Sequence, residues 1–144
     1  MKLRRFLSTI LILAISLTLC ISSSFALENS TYRASPTLSA YNAKVSKGYS
    51  SGKIIISYDV EANIEGESVG VSSIVIYKSN GTYVTTITGT VENDLIGTNT
   101  PWHSSSYTYH GISGTYYYAV VTVFATINGV TDSRTITTNT VQAP

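Results

Sequence analysis

Cysteine, histidine, tryptophan and charge are all scarce in this chain. Of 144 residues only Cys20 is a cysteine, and it lies in the apolar N-terminal run. Beyond it there can be no disulfide, no thiolate metal site and no thiol nucleophile. The two histidines, His103 and His110, are 110 − 103 = 7 residues apart, which gives no zinc-ligand spacing without cysteine. No Gly-x-Ser-x-Gly elbow accompanies them, so a hydrolytic triad is not indicated. Phosphate-binding glycine loops and basic aromatic stripes are also missing. These gaps together give the expectation of a protein that is not an enzyme and uses no cofactor or metal.

The charge balance excludes another class of partner. The formal charge is +1, but Lys2, Arg4 and Arg5 belong to the N-terminal leader. The remaining six basic residues against eight acidic ones give 6 − 8 = −2. A slightly acidic chain has no attraction for nucleic acid or anionic lipid. The acidic residues gather in two stretches, Asp59, Glu61, Glu65 and Glu67, and Glu92-Asn93-Asp94. No Asp-x-Asp-x-Asp-Gly loop occurs, so both read as solvated rims, and calcium binding there is left open. Asn29-Ser30-Thr31 and Asn80-Gly81-Thr82 have the form of glycosylation acceptors, the second better explained by a turn.

What the N-terminus does contain is an export pattern. Lys2, Arg4 and Arg5 precede an apolar stretch from Phe6 to Ile21, and Ser24-Phe25-Ala26 is a small-x-small site. This predicts a signal-peptide helix over 1–26, cleaved between Ala26 and Leu27. The apolar stretch is too short and too interrupted by Ser and Thr for a membrane span. Leu19 before Cys20 is not the small residue that lipidation needs. Cleavage leaves 144 − 26 = 118 residues, the size of one domain. The reading is a secreted, extracellular protein without membrane contact after cleavage: a polar leader over 27–36, then a β domain over 37–142. The chain stops three residues after Val141, which suggests release and not wall anchoring.

No window sustains a helical 3.6-residue period, whereas Thr, Ser, Val, Ile and Tyr abound. A first strand is predicted over 38–45, then a "YSSG" turn. In "KIIISYDVEA", Ile54, Ile56, Tyr58 and Val60 share one face. "NIEGES" reads as a polar loop, and 69–78 as a further strand. Asn80-Gly81 and Asn128-Gly129 mark two hairpins, the first leading into 82–88. Residues 89–103 read as irregular, 104–110 as a strand, and 111–114 as a corner. The longest strand is expected over 115–127 and the last over 130–141. About seven short strands with regular turns predict a single all-β antiparallel sandwich.

Two stretches, "IVIYKSNGTYVTTITGT" and "SYTYHGISGTYYYAVVTVFA", are similar to the middle and end of bacterial fibronectin type III-like, Ig-like domains. The second follows a family pattern at Tyr107, Thr108, Gly111, Ile112 (Leu in the family), Gly114, Thr115, Tyr117, Ala119 (a departure from Val) and Val121. Tyr58 stands where a core Trp is usual, a further departure. The resemblance covers about 36–141 and implies fold more than function. It places Tyr117 at the tyrosine corner, its hydroxyl bonded back to the backbone. The whole chain also resembles short secreted proteins of Gram-positive bacteria, which implies no activity.

Tyr117 shares a face with Ala119, Val121 and Val123, so Tyr116 and Tyr118 face the other way. Cross-strand packing explains outward tyrosines at about 0.2–1 kcal/mol per pair. A binding surface is the alternative. Trp102, the only tryptophan, lies in "TNTPWHSSSYTYHG" beside His103. An aromatic beside hydroxyls suits sugar or peptide recognition, but the indole could also plug the end of a sandwich. Ligand-binding candidates are Trp102, His103, Tyr116 and Tyr118. The expected function is a non-enzymatic binding module for an extracellular glycan or protein. The alternatives are a secreted antibacterial antagonist and a structural subunit that pairs through sheet edges. The oligomeric state does not follow from the sequence.

Overall fold

Alternation of apolar and polar side chains builds nearly every strand. In the computed structural model, which describes residues 37–144, seven strands form: β1 Leu38–Lys47, β2 Lys53–Lys78, β3 Tyr83–Thr88, β4 Ile96–His110, β5 Tyr116–Ile127, β6 Val130–Thr137 and β7 Val141–Gln142. The fold is all-β. Every pairing is antiparallel, and the strands make one continuous curled sheet. The expected signal sequence, its expected cleavage pair Ala26 and Leu27, Cys20 and the expected 27–36 leader lie outside the described residues.

β2 organises the sheet. Its first half pairs with β1 on one side and β4 on the other. Its second half pairs with β5 on one side, and with β3 and the start of β4 on the other. β6 continues outward from β5. The apolar phase along β2 records two interruptions. Ile54, Ile56, Tyr58, Val60 and Ala62 are buried, then Val69 and Val71, then Ile74 and Ile76. The first slip falls where residues 62–65 stand opposite Pro101 alone. The second is a bulge at Ser72, whose hydroxyl donates to the Thr122 carbonyl at 3.2 Å.

Four expectations are corrected here. "NIEGES" is not a loop but part of the 26-residue β2. Gly66 pairs with Thr100 and Ser68 with Thr98, while Asn63, Glu65 and Glu67 face solvent. A strand with an exposed face reads as polar, so composition hid it. Of the stretch 89–103, only 89–95 is irregular, because Ile96 to His103 already belong to β4. With 15 residues in β4 and 26 in β2, β5 is not the longest strand. The expected last strand breaks at Thr138–Thr140, and Val141–Gln142 returns to pair with β5 at Tyr116 and Tyr117.

The concave face holds the core, including Ile54, Ile56, Ile74, Ile76, Leu95, Val121 and Val123, all fully buried. β1 packs across this interior against β5 and β6. Asn139 ties the two sides together. Its amide oxygen accepts the Val45 N–H at 3.0 Å, and its NH2 donates to the Val45 carbonyl at 2.9 Å. The side chain thus does for one residue of β1 what a neighbouring strand would do.

Tyr117 sits at the end of this core, 1% exposed. Its hydroxyl accepts the Ile112 N–H at 3.0 Å, and its ring meets Tyr109 edge-on at 5.6 Å. Tyr117→Phe is expected to cost about 1–3 kcal/mol, because it leaves that N–H without its partner. Tyr116→Phe and Tyr118→Phe should cost far less, since both face outward. Urea denaturation of the three variants measures the difference, and equal losses would contradict the geometry.

Candidate functional site

The outer face of β1, the first half of β2 and β4 is polar and open. Register brings its side chains into rows. Asn42, Asp59 and Ser104 form one row, Lys44, Ser57 and Ser106 the next, and Glu61 lies opposite Trp102. Two shallow grooves cross this face. One, about 400 Å³, is lined by Asp59, Glu61, Pro101, Trp102 and Ser104. The other, about 300 Å³, is lined by Asn42, Lys44, Ser57, Tyr58, Asp59 and Ser104. They share Asp59 and Ser104, so together they run from the indole to Lys44.

Trp102 is 59% exposed at one end of this trough. Its backbone is held from both sides by one hydroxyl. Thr100 Oγ1 donates to the Trp102 carbonyl at 2.7 Å and accepts the Trp102 N–H at 3.3 Å. Pro101 restricts the backbone between them. Asp59 and Glu61 are exposed and make no ion pair among the described residues. An open aromatic face beside two free carboxylates and a serine can stack on an apolar ring face while accepting hydrogen bonds from hydroxyls.

His103 does not join Trp102. Adjacent strand residues point to opposite faces, and His103 turns inward. Its ring lies 5.8 Å from that of Tyr58, and its Nε2 is 3.1 Å from the Asp94 carbonyl. The Tyr58 hydroxyl donates to the same carbonyl at 2.9 Å, and Ser105 donates to the Asp94 carboxylate at 2.5 Å. Burial, reinforced by the nearby Asp94 charge, pushes the Tyr58 phenol well above its ordinary range. Serine, histidine and aspartate meet here, but the serine bonds the carboxylate and not the imidazole. That is not a relay for a nucleophile. The cluster fastens the β3–β4 connection to the sheet.

Tyr116 and Tyr118 lie elsewhere. Tyr118 pairs with Tyr77, whereas Trp102 pairs with Glu61, 77 − 61 = 16 residues away along β2. The rings of Tyr118 and Tyr77 stack at 5.3 Å, and Tyr83 meets Tyr77 edge-on at 6.1 Å. This ladder crosses three strands and takes up one stacking face of Tyr118 and of Tyr77. Tyr116 is 49% exposed, with no ring partner among the described residues. The four candidates therefore do not converge on one site, and of the four it is Trp102 that lines one of the two grooves described above.

Sequence reasoning missed Asp59 and Glu61 as partners of Trp102. Only the β2–β4 register joins them, although alternation through 96–103 would have separated Trp102 from His103. Of the other acidic residues, Glu67 accepts the Gly129 N–H at 3.1 Å and so fastens the Asn128-Gly129 turn. Among the described residues, no three of His, Cys, Asp or Glu converge as metal ligands. No family model, curated protein or solved structure matches this chain.

Proposed function

We propose that this is an exported, non-enzymatic binding module that takes an uncharged, hydroxyl-rich glycan in the Trp102 groove. The observation that carries the reading is the indole, 59% exposed, beside the unpaired carboxylates of Asp59 and Glu61. The carboxylates accept hydrogen bonds from hydroxyls and repel anions, so a neutral saccharide fits better than an acidic one. Lys44 and Asn42 at the far end of the trough extend it to a second sugar unit. The binding test is calorimetric titration with neutral and acidic oligosaccharides, together with co-sedimentation on cell-wall polysaccharide. Binding to neither class, or to the acidic class alone, sinks the reading.

We read the curled sheet as a fibronectin type III-like sandwich whose layers are β1-β2-β4 and β3-β2-β5-β6, with β2 passing from one to the other. Supporting this are the packing of β1 across the core against β5 and β6, and the Tyr117 hydroxyl bonded to Ile112. Export rests on the N-terminal pattern. Protein recovered outside the producing cell is expected to have the intact mass of a chain beginning at Leu27. A mass that retains residues 1–26, or a diacylglyceryl mass on Cys20, counts against it.

A further inference from the structure

A sheet that does not close leaves edges, and exposed edges invite pairing with another chain. The described residues have five edge strands, and four are protected. β1 has Asn139 across Val45, a register irregularity between Leu38 and Ala40, and Lys44 and Lys47 along it. β6 carries Asp132 and Arg134 opposite the buried Ala125 and Val123, which places an ion pair on the inward face of the edge. Inward charges of this kind penalise any strand that would extend the sheet. β3 is only six residues long and β7 only two.

β4 differs. It pairs with β2 alone, and from Trp102 to His110 its register with β2 runs residue for residue without a bulge. That run, "WHSSSYTYH", contains no Lys, Arg, Asp, Glu or Pro. The Thr100 hydroxyl takes up the N–H and carbonyl of Trp102, and from His103 to His110 this is the one long, regular edge among the described residues that carries no Asp, Glu, Lys or Arg of its own.

We infer that this edge pairs with the same edge of a second copy, antiparallel and centred on Ser106, the midpoint of the run. The pairing is self-complementary. On the outer face Trp102 meets His110 of the second copy, Ser104 meets Thr108, and Ser106 meets its own equivalent. On the inner face His103 meets Tyr109 and Ser105 meets Tyr107. Every cross-strand pair joins aromatic, imidazole or hydroxyl groups, and no two like charges oppose each other at neutral pH. A two-fold axis closes this contact after two copies. The result is a six-stranded layer, β1-β2-β4 continued by β4-β2-β1. Both Trp102 grooves then open on the same face, eight residues apart along the strand direction, or about 26 Å at 3.3 Å per residue. Two such sites on one layer would engage a repeating polymer bivalently.

The test needs no ligand, so it stands apart from the glycan reading. Light scattering on protein from expression of the full chain, over a concentration series, should show twice the monomer mass. Ser106→Lys and Ser106→Asp each set like charges against each other at the two-fold axis and should each return the monomer mass. Mixing the two variants should restore the doubled mass, because opposite charges then meet. Ser106→Thr should remain a dimer. Ser106 is exposed, and circular dichroism checks that each variant is folded. A wild-type monomer at every concentration, a dimer indifferent to both charged variants, or a mixture that stays monomeric would each overturn the inference.

Discussion

Trp102→Ala is expected to weaken saccharide binding by 2 kcal/mol or more, about 30-fold, while leaving the domain folded. The indole is 59% exposed, so its removal opens no cavity in the core. Substitutions at such positions usually shift stability by no more than about 0.5 kcal/mol. An indole that plugged the sandwich would instead cost about 3–5 kcal/mol in stability on truncation. The two roles therefore separate in a pair of measurements, calorimetric affinity and urea denaturation. Asp59→Asn and Glu61→Gln should weaken binding too, because an amide is a poorer acceptor than a carboxylate for sugar hydroxyls. His103→Ala should reverse the pattern and lose stability, since that ring packs against Tyr58 and the Asp94 carbonyl. Unchanged affinity in Trp102→Ala would remove the groove from consideration.

The contrast between Trp102 and His103 shows what was legible in the sequence. Where both faces of a strand carry clear signals, period two is enough. Ile54, Ile56, Tyr58 and Val60 point inward as their alternation predicts, and Asn128-Gly129 turns with positive φ at both residues, 51° and 73°. Where a strand is exposed or bent, the pattern fades. Asn63–Ser68 carries polar residues because its outer face meets water, and the buried phase shifts again at Ser72. Ile96–His103 contains Pro101 and Asn99, the latter at φ 51°, so turn residues mask a strand. The candidate site suffers most from this. Trp102 is conspicuous by itself, but Asp59 and Glu61 join it only through a pairing more than 40 residues apart in sequence, 102 − 61 = 41. Asn139 gives no sign in the sequence that it would stand in for a strand beside Val45.

The β2–β4 pairing ends at a glycine of β2, and Gly70→Ala should be among the most damaging single substitutions in the domain. Gly70 lies in β2 at φ 150°, a region that side chains rarely adopt. It pairs with Ile96 at the point where the chain enters β4. A Cβ at this position would overlap the Leu95 carbonyl oxygen and come within 3.0 Å of the Ile96 Cα. Both are backbone atoms and cannot swing aside as a side chain could. The same Leu95 carbonyl accepts the Val71 N–H at 2.8 Å, and the Leu95 side chain is fully buried. Relief of the clash would therefore pull a hydrogen bond and a core residue out of place together. Backbone strain and overpacking each cost about 1–3 kcal/mol, so a loss of about 3 kcal/mol is expected. Gly81→Ala is the matched control. Its φ is 84°, but nothing lies within 4 Å of the added carbon, so only the conformational cost of about 1 kcal/mol should appear. Urea denaturation of the two variants gives the comparison. Equal losses would mean that the Leu95–Ile96 approach yields easily. A larger loss in Gly70→Ala would show that the approach of Gly70 to Leu95 and Ile96 at the start of β4 is a tight contact that does not yield.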